Sequence, residues 1–259
     1  MNLTGTANVM VPNLIFDIGM YDGSDTEYYL KKGFRVIAVD ANPQLCEVVQ
    51  NRLADYVKTG QLTVLNIGIS GTLTDVTFFI AANKLDWSSF DRSFAARFDG
   101  CVEEVKIPCI TLSELMQAYG VPYYAKIDIE GRDRDAIVSL LQLSDLPRFV
   151  SVEATVADFS SLMASVGYGG FKLINQVYTC TIPSVFPPLE GQFADTCFSP
   201  GQHSGPFGEE TYGRWLTRAE FEADYKAVRE KRYPDTLQKQ FGVPESLINK
   251  WYDFHARFG

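Results

Sequence analysis

The stretch Asp17-Ile18-Gly19-Met20-Tyr21-Asp22-Gly23 decides the fold of this chain. It follows the apolar run Asn13-Leu14-Ile15-Phe16, which predicts a short buried strand, and it precedes a segment that predicts a helix. The pattern Ser24-x-x-Glu27 fits a capping box at the start of that helix, and Gly33 fits its end. A glycine turn between a strand and a helix lets a ligand approach the backbone, and the helix N-terminus presents free N–H groups. The stretch therefore predicts a ligand site.

The chain that follows repeats the alternation of strand and helix. Arg35-Val36-Ile37-Ala38-Val39 is rich in β-branched residues and runs into Asp40. Asn42 as N-cap and Pro43 at the first helical position begin the next helix, and residues 62–67 form the third strand. The order βαβαβ predicts a Rossmann-like α/β fold, in which a mostly parallel sheet carries helices on both faces.

Further strands along the chain end in acidic residues. The run 123–127 leads into Asp128-Ile129-Glu130-Gly131, the run 149–152 ends at Glu153, and residues 171–174 predict another strand. Because ligands bind outside the carboxyl ends of the strands in open α/β sheets, these acids are expected along the rim that carries the ligand.

The C-terminal part of the chain departs from this alternation. It begins with a stretch rich in Pro, Gly and aromatic residues, and Thr217-x-x-Glu220 then opens a charged helix. A last helix is expected from near Pro244, with His255 on its surface. We therefore expect a ligand-binding domain over residues 1–185 and, over residues 186–259, an acceptor loop and C-terminal helical extension of the same domain.

The charge of the turn indicates which ligand it takes. The turn begins with a carboxylate, Asp17, which would repel an anion such as a pyrophosphate and attract a cation. S-adenosylmethionine (SAM) carries an ammonium and a sulfonium and therefore suits the site better than NAD. Asp40, at the end of the second strand, is placed to accept hydrogen bonds from the ribose hydroxyls that both ligands contain.

At these residues the chain resembles the FkbM family of class I SAM-dependent methyltransferases. Lys126-Ile127-Asp128-Ile129-Glu130-Gly131 resembles the K-I-D-x-E-G stretch of that family, and Ile110-Thr111-Leu112-Ser113-Glu114-Leu115 resembles the segment before it. Val152-Glu153 and Gly167-Tyr168 follow in the family order, so that the resemblance covers roughly residues 13–180. The glycine turn itself is shared with many methyltransferases.

The resemblance implies a seven-stranded sheet, SAM as cofactor and methyl transfer, usually to oxygen. Carried over by position, it places Asp17, Gly19 and Gly23 at the methionine end of SAM and Asp40 at the ribose. Asn66 is placed near the adenine by its position in the third strand. The acid after the second strand is often Glu in the family and is the shorter Asp here. The C-terminal extension matches the family poorly, so the resemblance does not name the methyl acceptor.

The candidate catalytic residues are Asp128, Glu130 and His203. A positioned base that removes the proton of an acceptor hydroxyl contributes about 10² to 10⁴ in rate. Asp128 and Glu130, together with Glu153, also form a candidate Mg²⁺ site, because Mg²⁺ prefers carboxylate oxygens. The alternatives are that Glu130 only caps the following helix and that His203 is an exposed loop residue. The segment Trp87-Ser88-Ser89-Phe90 contacts either a ligand or the core.

The composition of the chain indicates which classes of partner it binds. The net charge is -9, from 23 Lys+Arg against 32 Asp+Glu, whereas nucleic-acid binding requires a positive surface. The five cysteines show no CxxC spacing, and no apolar run of about 20 residues could cross a membrane. The N-terminus does not resemble a signal peptide. We expect a cytoplasmic enzyme that acts on a small-molecule acceptor, without nucleic-acid or membrane partners; a homo-oligomer is compatible with this expectation.

These features favour a SAM-dependent O-methyltransferase that modifies a hydroxyl on a small molecule such as a sugar or a polyketide. Three alternatives stay open at this point. They are methylation of nitrogen or of a macromolecule, a non-catalytic SAM- or nucleotide-binding module, and a nucleotide-binding oxidoreductase, against which Asp17 argues.

Overall fold

The computed structural model describes residues 9–71, 74–97, 99–153, 159–179, 181–199, 201–229 and 252–259. The chain divides into two compact units, Met1–Pro147 and Arg148–Gly259. The predicted start of the last helix near Pro244 lies outside the described residues. Within the described part, no helix combines the length and the apolar character needed to span a membrane.

The first unit alternates strands and helices, as predicted. Its elements are β1 (Met10–Ile18), α1 (Ser24–Lys31), β2 (Arg35–Asp40), α2 (Pro43–Arg52), α3 (Ala54–Lys58), β3 (Leu62–Asn66), β4 (Gly68–Ile69), β5 (Asp75–Ala81), a 3₁₀ turn (Leu85–Trp87), α4 (Arg92–Ala95), β6 (Val102–Ile110), α5 (Leu112–Tyr119), β7 (Val121–Ile127) and α6 (Asp133–Leu140).

The second unit is shorter and less regular. Its elements are β8 (Phe149–Glu153), α7 (Ser160–Val166), β9 (Gly170–Asn175), α8 (Gln176–Thr179), a 3₁₀ turn (Gly208–Glu210), α9 (Arg218–Arg229) and β10 (Tyr252–Arg257).

The seven strands of this mostly parallel α/β fold, in the order β3-β2-β1-β7 in the first unit and β8-β10-β9 in the second, confirm the predicted fold class. In the first unit, β1 lies between β2 and β7 and is parallel to both. Leu14, Ile15 and Phe16 are fully buried, because β1 is covered on both faces and its sequence is a continuous apolar run. The first unit also holds a second sheet, with the strand order β4-β6-β5.

The predicted cap is confirmed at α2 and wrong at α1, and α5 carries a further cap. Asn42 accepts a hydrogen bond from the backbone N–H of Gln44 at the start of α2, and Thr111 forms a complete capping box at α5. The capping box predicted from Ser24 is wrong, because Gly23 occupies the N-cap of α1 in a left-handed conformation. Glu27 instead forms an ion pair with Lys31.

The C-terminal residues correct a second prediction. His255 does not lie on a surface helix: it belongs to β10, which pairs antiparallel with β8 and with β9, and only 2% of His255 is exposed. The strand alternates apolar residues (Tyr252, Phe254 and Ala256) with polar ones, a pattern of period two that fits a strand. Its pairing with β8 and β9 is a tertiary effect that local helix signals do not contain. The charged helix opened by Thr217 is confirmed as α9.

Candidate functional site

The glycine turn after β1 has the conformation that its sequence predicts. Gly19 has φ 81° and Gly23 has φ 74°, and both values lie in the left-handed region that favours glycine. The backbone N–H groups of Gly19 and Met20 donate to the carbonyl of Val39 at 2.9 and 3.1 Å. The turn is therefore fastened to the end of β2, and α1 begins directly after it.

The turn also lies against the end of β7. A Cβ atom placed on Gly19 would be 1.7 Å from the carbonyl oxygen of Asp128, so only glycine allows this approach. The backbone N–H of Asp128 donates to the carbonyl of Ile18 at 2.9 Å. The carboxyl ends of β1 and β7 thus bring the glycine turn and the Asp128 segment together, as the predicted rim requires.

Asp40 organises the end of β2. Its carboxylate accepts hydrogen bonds from the backbone N–H groups of Tyr21 at 3.0 Å and Asn42 at 2.8 Å. Burial raises the pKa of Asp40 to about 6, which the two backbone donors oppose. Asn66 lies beside Asp40 in β3, and its amide donates to the carbonyls of Asp40 and Ala41. The ribose and adenine contacts of Asp40 and Asn66 stay predictions.

Asp17 lies beneath the turn with none of its surface exposed. One carboxylate oxygen, Oδ2, accepts a hydrogen bond from Thr26 at 2.5 Å, whereas Oδ1 has no hydrogen-bond donor in the described part of the chain. Burial raises the pKa of Asp17 to about 6, and the ammonium of Lys126 opposes that shift. The hydrogen bond from Thr26 therefore links the end of β1 to α1 across the turn. The direct contact of Asp17 with a ligand stays a prediction.

Lys126 was not among the predicted site residues, although it joins the site. Its Nζ lies 3.8 Å from Asp17, 3.6 Å from Asp25 and 3.4 Å from Asp128. The signal for this cluster was present in the sequence, because Asp17 and Lys126 are charged residues inside buried strands, where charged residues rarely occur unpaired. The register, which makes them direct neighbours across β1 and β7, required the structure.

The segment after β7 holds Glu130 in an unusual conformation. Glu130 has φ 45°, which is uncommon for a residue other than glycine, and its carbonyl accepts a hydrogen bond from Ser89 Oγ at 2.8 Å. The N-cap residue of α6 is Arg132, whose side chain makes no cap hydrogen bond, and the alternative that Glu130 caps α6 stays a prediction. Asp133 performs a related role that the sequence analysis missed: its carboxylate accepts from the backbone N–H groups of Ile129 and Gly131.

The remaining predicted residues lie in the second unit. Glu153 is the last residue of β8 and is half-buried. His203 lies in a loop, where its Nδ1 accepts a hydrogen bond from the backbone N–H of Ser199 at 3.1 Å and its ring packs edge-on against Phe198. The catalytic role of His203 and the three-carboxylate metal site stay predictions.

Sequence comparison identifies a single family for most of this region. The model of the methyltransferase FkbM domain matches residues 17–172, which is more than half of the chain. The match contains the glycine turn, Asp40, and the segment from Lys126 to Glu130. No curated protein matches the chain.

Three solved structures show distant likeness. The methyltransferase FkbM from Methylobacillus flagellatus KT is 18% identical, with a TM-score of 0.40 over 63% of this chain, and the match spans only 39% of that protein. The precorrin-6y C5,15-methyltransferase from Geobacter metallireducens GS-15 is 14% identical, with a TM-score of 0.34 over 73% of this chain and 76% of the other. The methyltransferase domain of bacterial CtHen1 is 12% identical, with a TM-score of 0.37 over 95% and 90%. Likeness at this level assigns no activity.

Proposed function

Because the chain belongs to the FkbM methyltransferase family, we propose that it transfers the methyl group of SAM to a hydroxyl oxygen of a small molecule, such as a sugar or a polyketide. The family supports methyl transfer and implies SAM as the donor. The choice of oxygen as acceptor rests on the position of Asp128.

The residues of the first unit fit SAM as a ligand. The turn at Gly19 and Gly23 is closely packed, since a Cβ on Gly23 would lie 2.9 Å from Val49 and a Cβ on Gly19 would overlap Asp128. Around Lys126, three carboxylates face one ammonium, which leaves a negative surplus that attracts a cationic ligand. When bound, SAM supplies an electrophilic methyl group on a positively charged sulfur.

The exposure and the position of the Asp128 carboxylate are the main support for oxygen as the acceptor. Its side chain is 31% exposed and is ion-paired with Lys126, whereas the side chains of Asp17 and Asp25 are buried. Asp128 is therefore the carboxylate of this cluster that can meet an acceptor beside the glycine turn. A hydroxyl is a weak nucleophile until its proton leaves, and a carboxylate held in place removes that proton, which contributes about 10² to 10⁴ in rate.

The proposal is tested by incubating the protein with SAM and pairs of small acceptors that differ only in carrying a hydroxyl or an amine. Products are identified by mass spectrometry. Methylation of the alcohols and not of the amines is the expected result. Transfer to the amines alone would make the chain an N-methyltransferase, and normal SAM affinity without transfer to any acceptor would favour a non-catalytic SAM-binding module.

Asp128→Asn tests the role of the base. This variant should fold and bind SAM, because Asn keeps the size of the side chain, but it should transfer methyl to an alcohol at least about 100-fold more slowly. Asp55→Asn is the matched control, since Asp55 is an exposed acid on α3 that pairs with Lys58. Equal turnover in the two variants would remove Asp128 from the mechanism.

Several further expectations belong to the same proposal. Glu130 and His203 are the other candidates for the base, and Mg²⁺ bound by Asp128, Glu130 and Glu153 is a candidate activator of the hydroxyl. A chelator such as EDTA should lower turnover if that metal takes part. The cytoplasmic localisation, a small-molecule partner and a homo-oligomeric state are likewise expectations of the proposal.

A further inference from the structure

Lys126 is an unusual residue for the interior of a parallel sheet. Its side chain is 6% exposed, and it lies in β7 between fully buried apolar neighbours. A lysine is almost never buried without a partner, because removing an ammonium from water costs several kcal/mol. The partners here are three carboxylates, from β1, from α1 and from the segment after β7, and the backbone carbonyl of Gly19 at 3.4 Å.

The groups that face Lys126 come from each element around it. They are Asp17 from β1, Asp25 from α1, Asp128 from the segment after β7 and, at longer range, Asp40 from the end of β2. Tyr29 of α1 and Tyr124 of β7 lie beside Asp17 and Asp25. The ammonium of Lys126 forms ion pairs with three carboxylates, those of Asp17, Asp25 and Asp128. Lys126 Nζ also donates hydrogen bonds to the carbonyl of Gly19 and to Asp128 Oδ2, so it contacts both the glycine turn and the segment that packs against it.

We propose that Lys126 is a positioning residue of the donor site, which joins the glycine turn to Asp128 and keeps the buried carboxylates ionised, so that the site retains its attraction for the cationic donor at neutral pH. This proposal rests on the proposed function, because it concerns the binding of SAM. Lys126 acts through Asp128 and the turn and not by contact with the reacting atoms.

The electrostatics of the cluster support this role. Burial raises the pKa of Asp17 to about 6, Lys126 opposes the rise, and the charge of Asp25 adds to it. Without Lys126, the buried carboxylate of Asp17 would take up a proton at a higher pH, since an opposite charge at this distance lowers the pKa of a carboxyl group by about 1 to 3. Each proton taken up removes one negative charge from the surroundings of the cationic ligand and weakens its binding.

The experiment measures the Kd of SAM by calorimetry between pH 5.5 and 7.5 for the wild type and for Lys126→Met, which keeps the length of the side chain and removes its charge. In the wild type, affinity should begin to fall near pH 6. In Lys126→Met, the fall should begin at least about one pH unit higher. Repeating the titrations in two buffers of different ionisation enthalpy counts the protons released when SAM binds. Lys126→Arg, which restores a charge, should return the profile toward that of the wild type.

Asp25→Asn is a second variant that tests the same electrostatic coupling if Lys126→Met does not fold. It removes a like charge from beside Asp17, so the fall in affinity should move to lower pH. If the pH profiles of SAM affinity are the same for the wild type and Lys126→Met, the role of Lys126 is wrong and the proposed function stands. If Lys126→Met is unfolded, the same conclusion follows from identical profiles for the wild type and Asp25→Asn. A wild type that binds no SAM at any pH would overturn both.

Discussion

Replacing Gly19 by alanine tests the close approach on which the site is built. Gly19 has φ 81°, and a Cβ atom there would lie 1.7 Å from the Asp128 carbonyl oxygen and 2.7 Å from its carbon. Contacts of a Cβ atom under 3.0 Å essentially never occur, so the glycine turn and the Asp128 segment would have to separate by more than an ångström. Both are backbone, which cannot rotate away as a flexible side chain does.

The cost of this change can be worked from the structure. An alanine in the left-handed conformation costs about 1 to 2 kcal/mol. Separating the two segments also strains the bond from Gly19 N–H to the Val39 carbonyl and the bond from Asp128 N–H to the Ile18 carbonyl, each 2.9 Å long. Each bond contributes about 1 kcal/mol to stability. The free energy of unfolding should therefore fall by about 3 to 4 kcal/mol.

Gly60→Ala is the matched control. Gly60 has φ 76°, close to that of Gly19, but a Cβ atom there would meet nothing within 4 Å. The control should lose only the conformational part, about 1 to 2 kcal/mol. Urea denaturation measures both losses, and calorimetry should show SAM affinity at least about tenfold weaker in Gly19→Ala and unchanged in Gly60→Ala. Equal losses of stability and normal SAM binding in both variants would refute the close approach.

Two further predictions concern carboxylates of the same unit. Asp40→Ala should weaken SAM binding by roughly ten- to a hundred-fold, since a hydrogen bond to a charged group contributes about 1.5 to 3 kcal/mol, and unchanged affinity by calorimetry would remove Asp40 from the site. Burial raises the pKa of Asp133 to about 6 from 3.8, so this carboxyl stabilises the fold at low pH and loses that contribution as pH rises through 6. Asp133→Asn lacks this titration, so its free energy of unfolding relative to the wild type should rise by roughly 2 to 3 kcal/mol from pH 4 to pH 7; a constant difference would contradict the assignment.

The features that the sequence predicted well are governed by short-range physics. The glycine turn requires left-handed backbone at Gly19 and Gly23, and glycine adopts it without steric cost. The cap at Asn42 depends on a hydrogen bond from the backbone of a residue two positions away. Apolar runs that are bounded by such signals locate β1, β2 and β7, and their order gives the fold class.

The features that the sequence analysis missed depend on contacts between distant segments. Lys126 joins the site because the register of β1 and β7 places it beside Asp17, which no local signal specifies. His255 is buried because β10 pairs with β8 and β9. The Ser24 pattern fits a capping box, but the turn before it already ends at Gly23, whose left-handed conformation provides the N-cap. At Lys126 and His255, pairing between distant strands overrides the local preference, whereas at Ser24 one local signal overrides another.

Binding of SAM at the turn after β1 is measured by calorimetric titration of the wild-type chain with SAM and, separately, with NAD. The account predicts saturable binding of SAM with a Kd on the order of micromolar and no binding of NAD, because the carboxylates around Lys126 attract a cation and repel a pyrophosphate. Binding of NAD alone, or of neither ligand, would contradict the account of the turn after β1 and, with it, the proposed function.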